Sequence, residues 1–422
     1  MNYMKNIIEK LQRGNLFLTG GAGVGKTTIT KSIISHYETE AKKVAKLAST
    51  GMAATLINGQ TLHSFFDLGV CNDLQELTFR GKFEISNKVK KLLKVMDLIV
   101  IDEISMVSSK LFDMIDLRLK QSDFKGSILV VGDFLQLPPI VSGYGEVNFA
   151  FESLSWREFN FEIVELTHIY RTDDKSFIDL LSEIRIGFVD ERVHNLLNEF
   201  VKPFGENLSE FTFLFGKNNS ASIHNKNQLL HIDGELYVKE AQIVKHIKSV
   251  KDVEIERFMQ DARVEKDLEL KVGARVLFSR NSWNYFNGER GVIVNIDNSF
   301  VYVQKSDNIV VKLEAVSQSK SLWSEKIVDG KKEMVEEPLF SIYQYPIKLS
   351  YAITIHKSQG MSIEDLIIES NEIFAPSQFY VAISRCSNPK RLTLIAPRRG
   401  WREIVFVDKK AVEFVKKSSM IR

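Results

Sequence analysis

The sequence predicts an α/β protein built from two parallel, doubly wound domains, each interrupted by a smaller insertion. Three observations carry this expectation. Apolar strands (LFLTG, VAKLAS, DLIVIDE, SILVVGD) alternate with amphipathic helices, one from Thr27 and one through Lys110 to Lys120. A second series starts near Phe161 with EIVEL and FTFLF, then resumes near Tyr351 with LIIES, a helix through Tyr380, and LTLIA. Between Val292 and Tyr345 the pattern changes to short β-rich pieces (GVIVNI, SFVYVQ, NIVVKLEAV) set off by turn pairs such as Asp297-Asn298 and Asp329-Gly330.

A chain of 422 residues exceeds one ordinary domain and suggests two or three. We divide it into 1–155 and 156–422. The first domain is interrupted at about 66–94 by an irregular piece with a Lys-rich helix, the second at about 292–345 by a small β-barrel. With 44% apolar and 26% charged residues the composition is that of a soluble globular protein, which argues against collagen-like, disordered or disulfide-rich classes. No apolar run approaches the roughly 18 to 20 residues that cross a bilayer, and the N-terminus lacks a signal-peptide core, so a cytoplasmic protein without a membrane partner is expected. Cys71 and Cys386 stand far apart with no metal-ligand spacing around them and read as structural residues. A net charge of +2 neither demands nor excludes a polyanionic partner.

The chemistry is concentrated in a few motifs. The strand LFLTG runs into Gly20-Gly21-Ala22-Gly23-Val24-Gly25-Lys26-Thr27 and then a helix, the strand-loop-helix context of a phosphate-binding P-loop. Glycines let the backbone N–H groups of 21–28, from Gly21 through Ala22, Gly23, Val24 and Gly25 to Thr28, turn inward around phosphates. Lys26 reaches the β and γ oxygens of ATP, and Thr27 is placed to ligate Mg²⁺. The strand at Leu98 to Ile101 ends in Asp102-Glu103, at the sheet edge where open α/β sheets bind ligands. Asp102 would hold Mg²⁺ through water and Glu103 would activate the attacking water, although an acidic pair at a strand end also reads as a solvated helix start. The next strand ends in Gly132-Asp133-Phe134-Leu135-Gln136-Leu137-Pro138-Pro139, where Gln136 would sense the γ-phosphate; the bland reading is a strand-ending turn. Arg171 and Arg385 are the candidate cations from across the cleft, a contribution worth roughly 10³ to 10⁵ in rate, or else ordinary surface ion pairs.

Together these residues resemble the superfamily 1B helicases, most closely the petite-integration-frequency (PIF) DNA helicase family, with RecD-like and Dda-type enzymes as relatives. The resemblance covers nearly the whole chain. It rests on Gly20 to Thr28, Ser49 to Ala54, Thr61 to Phe65, Ile101 to Met106 with Leu111-Phe112-Asp113, Gly132 to Pro139, and Tyr170-Arg171. It continues through Ile184 to Gly187, Lys271 to Ala274, Asn287-Gly288, Thr354 to Gly360, and Tyr380 to Arg385.

The resemblance implies two RecA-like P-loop NTPase domains, with a wedge in the first and a Src-homology-type β-barrel in the second. It also implies 5′-to-3′ travel on single-stranded DNA driven by ATP and Mg²⁺, opening duplexes, forks and G-quadruplexes, by a protein that is a monomer in solution. Gly360 would join Gln136, Arg171 and Arg385 around the nucleotide. Thr50, Gly51, His63 and Ser64 would grip DNA from the first domain, and Thr354, His356, Lys357 and Ser358 from the second. Phe66, Leu68 and Val70 fall where the wedge would stack on an end base pair, or they are small-core residues. Lys88, Lys90, Lys91 and Lys94 would follow the backbone, or form a solvated face, and the same two readings cover Arg398, Arg399, Arg402 and Lys416-Lys417.

Three departures stand out. The glutamine that reads adenine in the family would fall at the extreme N-terminus, where only Met1 and Asn2 stand; Thr172 follows Arg171 where a glutamine is usual; and the long N-terminal extension of eukaryotic members is lacking, which points to a bacterial or phage-type enzyme. Two other classes remain as alternatives at this stage. One is an AAA+-type ATPase that remodels DNA-bound proteins without unwinding, which needs a helical lid after one core. The other is a non-catalytic DNA-binding module, against which intact Lys26, Thr27, Asp102, Glu103, Gln136 and Arg385 argue.

Overall fold

The computed structural model describes residues 2–50, 53–54, 57–69, 71–140, 146–203, 211–262, 264–280, 282–286, 288–328 and 331–420. Gly51 and Val70, both expected at the DNA, lie outside these residues.

Six parallel strands form the first sheet, in the order Gln60–Thr61, Val44–Ala48, Leu98–Asp102, Ser127–Gly132, Leu16–Gly20, Glu162–Leu166. Their central members are buried on both faces, so they read as unbroken apolar runs rather than alternating ones. Successive side chains still point to opposite faces. Leu16, Leu18, Leu98, Val100, Leu129 and Val131 pack with Ile7 and Leu11 of helix Asn2–Arg13 and with Ile33, Ile34 and Tyr37 of helix Lys26–Thr39. Phe17, Ile99, Ile101, Ile128 and Val130 face helix Ser109–Ser122 through Phe112, Met114 and Ile115. That helix is started by Ser108, whose side chain accepts from the Leu111 N–H at 3.2 Å.

The strand Glu162–Leu166, expected to begin the second domain, instead pairs residue for residue with Leu16–Gly20. The first sheet therefore extends past the boundary placed at 155. The pairing joins strands distant in sequence, and nothing local in EIVEL distinguishes the two sheets.

The second parallel sheet has the order Ala352–Thr354, Thr212–Phe215, Leu366–Ile368, Leu392–Leu394. Its core includes Leu180 and Ile184 of helix Lys175–Arg185 and Phe379 to Ile383 of helix Gln378–Ile383. A second parallel sheet in this position is what a lid-bearing AAA+ architecture does not have.

The β-rich insertion is larger than the 292–345 read from the sequence. A five-stranded antiparallel sheet runs Val310–Leu313, Val301–Lys305, Arg290–Ile296, Arg275–Phe278, Ile347–Leu349 around its own core. It thus begins at Arg275, whose short strand lacks the long Val/Ile run that marked the later ones. A hairpin, Val316–Val328 with Lys331–Gln344, adds Gln242–Lys245 as a third strand and reaches back to the first domain. There Met334 is buried in the first-domain core, Gln60 Nε2 donates to Glu336 Oε1 at 2.9 Å, and Lys91 pairs with Glu325.

Within 66–94 two short helices, Leu74–Phe79 and Asn87–Lys94, are capped by Asp73 and Ser86. The buried Arg118 holds this insertion from below, donating Nε to the Phe66 carbonyl at 3.1 Å and Nη1 to that of Phe83 at 2.7 Å. Phe66 and Leu68 are 0% exposed and pack in the first-domain core. They are core residues, and the wedge contact expected of them is corrected on that ground. The C-terminal helix Lys409–Met420 crosses back to the first domain, where Phe414 stacks on Phe151 (centroids 4.2 Å) and meets Phe134 edge-on.

Candidate nucleotide and DNA site

The P-loop joins strand Leu16–Gly20 to helix Lys26–Thr39, and its geometry needs glycine at both ends. At Gly20 a Cβ would sit 2.3 Å from the Leu166 carbonyl oxygen, and Gly25 caps the helix at φ +84°. Lys26 Nζ donates to the carbonyls of Gly20 and Gly21, each at 2.8 Å. Burial lowers the pKa of this ammonium, against the pull of Asp133, Glu103 and Asp102. Thr27 and Thr28 are exposed at the helix start.

Strand Leu98–Asp102 delivers Asp102 and Glu103 beside Lys26. Burial, with the neighbouring Glu103 charge, pushes the Asp102 carboxyl up to about 7. Glu103 sits in the left-handed region at φ +53° and donates its N–H to Asp102 Oδ1 at 2.9 Å. Burial raises its carboxyl too, while Lys26 and Arg385 oppose the shift. Gln136 is buried, its Nε2 3.4 Å from Asp133 Oδ2.

Arg171 and Arg385 converge on this cleft. Arg171 Nε donates to Ser362 Oγ at 2.9 Å and Nη1 to the Ser384 carbonyl. Arg385 is buried and donates Nε to the Val381 carbonyl at 2.9 Å. Burial brings the two guanidinium pKa values down to about 9 for Arg171, aided by Arg385, and to about 10 for Arg385. Among the described residues neither arginine nor Lys26 has a carboxylate within ion-pair distance. Their common environment is therefore one that binding a polyanion would neutralise. Thr172, in the place of the usual glutamine, is buried and accepts the Asp174 N–H on Oγ1 at 3.3 Å. Gly360 lies at φ +76°.

Three further residues of the matched motifs belong to this site. Arg185 of the second domain makes a two-pronged contact with Asp133 of the first. Tyr380 accepts the Ala22 N–H on its hydroxyl at 2.9 Å, touching the P-loop from the opposite domain. Tyr170, 73% exposed, lies against Gly25 and packs edge-on against His168. The available signal was a lone arginine ending an otherwise apolar helix face (Phe177, Leu180, Leu181, Ile184) and a tyrosine within a fully buried helix.

The expected DNA residues divide. Thr50 and His63 are half-buried, and Ser64 is exposed, on the first domain; His356 and Lys357 are half-buried on the second. Ser358, by contrast, is fully buried and donates its hydroxyl to the Ile355 carbonyl at 2.7 Å, which corrects its expected side-chain grip on phosphate. Thr354 is also buried, with Oγ1 lacking a hydrogen-bond partner among the described residues. Arg399 is exposed and donates Nη2 to the Ile373 carbonyl at 2.6 Å.

Two parallel-sheet domains, a P-loop, carboxylates at the adjoining strand end and cations from the facing domain define a nucleotide-driven enzyme of the two-RecA-domain class. Comparison with known proteins narrows this. Residues 2–195 match the model of the PIF1-like helicases. The chain is 38% identical to the ATP-dependent DNA helicase Pif1 of Campylobacter jejuni, over 98% of each chain. It superposes on a Bacteroides Pif1 structure in complex with ADP-AlF4 with a TM-score of 0.83, at 27% identity, over 100% of this chain and 97% of that one. A Bacteroides Pif1 structure bound to single-stranded DNA gives 0.64, at 28% identity, over 99% and 96%. The chain belongs to the PIF1-like helicase family. It is an ATP-dependent DNA helicase.

Proposed function

We propose that this helicase travels 5′ to 3′ on single-stranded DNA as a cytoplasmic monomer, opening duplexes, forks and G-quadruplexes by alternating grip of its two domains. The observation that carries the reading is the cleft itself, where Lys26, Arg171 and Arg385 converge without an ion-paired carboxylate among the described residues, beside the buried Asp102 and the half-buried Glu103. Binding of DNA by this chain is supported by the Bacteroides Pif1 structures bound to single-stranded DNA.

In this reading the P-loop is held in a self-satisfied state. Lys26 donates to its own loop and Ala22 to Tyr380, and phosphate oxygens take over these donors when ATP enters. The Thr27 hydroxyl and the Asp102 carboxylate are hard oxygen donors suited to Mg²⁺, and a buried carboxyl raised to about 7 is one that a divalent cation would ionise. Bound there, Mg²⁺ would neutralise phosphate charge. Glu103, raised by burial, is the stronger base for it and would take a proton from the attacking water. Arg171 and Arg385 would meet the charge that develops on the transferred phosphoryl group. Gln136 would sense that group and pass its loss through Asp133 to Arg185.

The opened and closed cleft would move Thr50, His63 and Ser64 relative to Thr354, His356 and Lys357, giving net steps along the strand. Measuring ATP turnover with and without single-stranded DNA tests the reading. Turnover should rise at least about tenfold with DNA, and turnover indifferent to DNA would count against it.

A further inference from the structure

The C-terminal helix Lys409–Met420 belongs by chain to the second domain and by packing to the first. Trp401, Ile404 and Val405 are buried in the second-domain core, and the Ser377 N–H donates to the Phe406 carbonyl at 2.8 Å. Within a few residues Ala411 is 1% exposed in the core of the first domain, with Val407, Val412 and Phe414 packed against that core. A helix shared in this way is carried along, or strained, whenever the cleft between the domains changes width.

Its seat in the first domain is the back of the loop that bears Gln136. Phe414 stacks on Phe151 and meets Phe134 edge-on, with centroids 5.3 Å apart and planes at 84°. Phe134, 1% exposed, stands between Asp133 and Leu135-Gln136 and also touches Phe17, on the strand that leads into the P-loop, at 5.4 Å. From the front, Asp133 is gripped by Arg185 of the second domain. Leu135 packs in the first-domain core and Leu137 in the second, which puts Gln136 at the junction of the two. The front and back holds meet in the second domain. Just past Arg185, a Cβ on Gly187 would lie 2.4 Å from Val407 Cγ2, on the segment that leads into the helix.

We propose that Phe414 is a positioning residue for ATP hydrolysis. Through Phe134 it sets where Gln136 stands, so that the glutamine reaches the transferred phosphoryl group only when the second domain has closed. Ring contacts suit this task, because edge-to-face pairs prefer a defined geometry and a close-packed core passes a displacement on instead of absorbing it. The role assigned to Phe414 rests on Gln136 being the residue that senses that group.

The test uses the full chain and compares the parent with Phe414→Ala, the milder Phe414→Leu, and Phe414→Tyr, which keeps the ring. Val412→Ala removes apolar packing from the same helix without touching a ring contact and serves as the control. ATP turnover is measured with saturating single-stranded DNA at a temperature where the variants are folded by circular dichroism, and the active fraction is counted as mant-ADP bound per chain. Phe414→Ala and Phe414→Leu should lower kcat about ten- to 100-fold. KM for ATP should stay within about twofold, as for a contact that matters only in the transition state. Phe414→Tyr and Val412→Ala should both stay near the parent. Mant-ADP should bind all of them alike, but aluminium fluoride should slow its release from the parent and not from Phe414→Leu. A kcat for Phe414→Leu that is no lower than that of Val412→Ala, or a release still slowed by aluminium fluoride, overturns the role of Phe414. Gln136→Ala, measured alongside, separates this role from its premise. Turnover kept in Gln136→Ala removes the sensor and Phe414 with it, whereas turnover lost there and kept in Phe414→Leu overturns the role of Phe414 alone.

Discussion

Arg185 and Asp133 face each other across the domain cleft, Nη2 to Oδ1 at 2.8 Å and Nε to Oδ2 at 3.0 Å, with the carboxylate wholly shielded from solvent. Burial alone would raise the Asp133 carboxyl, but Arg185, Lys26 and the Leu135 N–H outweigh it and hold the group below its ordinary range. Because the folded value is depressed, the stabilisation is full above about pH 4 and is lost as pH falls through the lower folded value. Arg185→Ala leaves a buried carboxylate unpaired, at a cost of about 3–5 kcal/mol. We expect thermal unfolding at pH 7 to move down by several degrees and ATP turnover to fall, with Asp133→Asn in the same background recovering part of the stability.

Lys26→Ala and Glu103→Gln should each remove ATP turnover, for different reasons. The first takes away the cation beneath the β and γ oxygens, so nucleotide binding weakens as well. The second keeps shape and charge-neutral hydrogen bonding but removes a base whose loss costs about 10² to 10⁴ in rate. Binding of mant-ADP and of oligo(dT) should survive Glu103→Gln. DNA binding should also weaken steeply with added salt, as phosphate contacts do.

Asp102 provides a pH test with the opposite sign to Asp133. Its carboxyl is raised to about 7, so the destabilisation it brings to the free protein builds as pH rises from the ordinary carboxylate range, about 4, to that value and is full above it. Asp102→Asn should therefore melt about 2–4 °C higher than the parent at pH 8, with the difference shrinking below pH 7 and closing only near the ordinary carboxylate value of about 4. Its ATP turnover should be lost throughout. A variant that melts lower than the parent at pH 8 contradicts this account of the site.

Phe66 separates core from wedge. Its ring is fully buried and meets Phe65 edge-on at 5.1 Å. Phe66→Ala should destabilise the first domain by about 3–5 kcal/mol, seen in denaturant unfolding. At a temperature where the variant is folded, its unwinding per turnover should match the parent. A stable variant with lost unwinding would restore the wedge reading.

The nucleotide half of the site was legible because each of its motifs couples a continuous apolar strand to a chemically distinctive end: Gly20 to Thr27, then Asp102-Glu103, then Asp133 to Gln136. What crosses between domains was not. Nothing in Ile184-Arg185 announces Asp133 as its partner, and Tyr380 reads as one more buried helix residue until its hydroxyl is seen on Ala22. The same non-locality misplaced Glu162–Leu166, whose partner strand lies at the start of the chain. Phe66 and Leu68 fitted either a wedge or a small core by residue type, and their packing in the first-domain core decides for the second. Ser358 fits a phosphate contact by residue type, but a tight turn uses its hydroxyl internally.

The central claim is directional, ATP-driven movement on a single strand, and two otherwise identical duplexes test it, one with a 5′ single-stranded tail and one with a 3′ tail. Strand separation in the presence of ATP and Mg²⁺ should occur on the 5′-tailed duplex and be abolished by Lys26→Ala. Preference for the 3′-tailed duplex, or separation that persists without ATP, would contradict it.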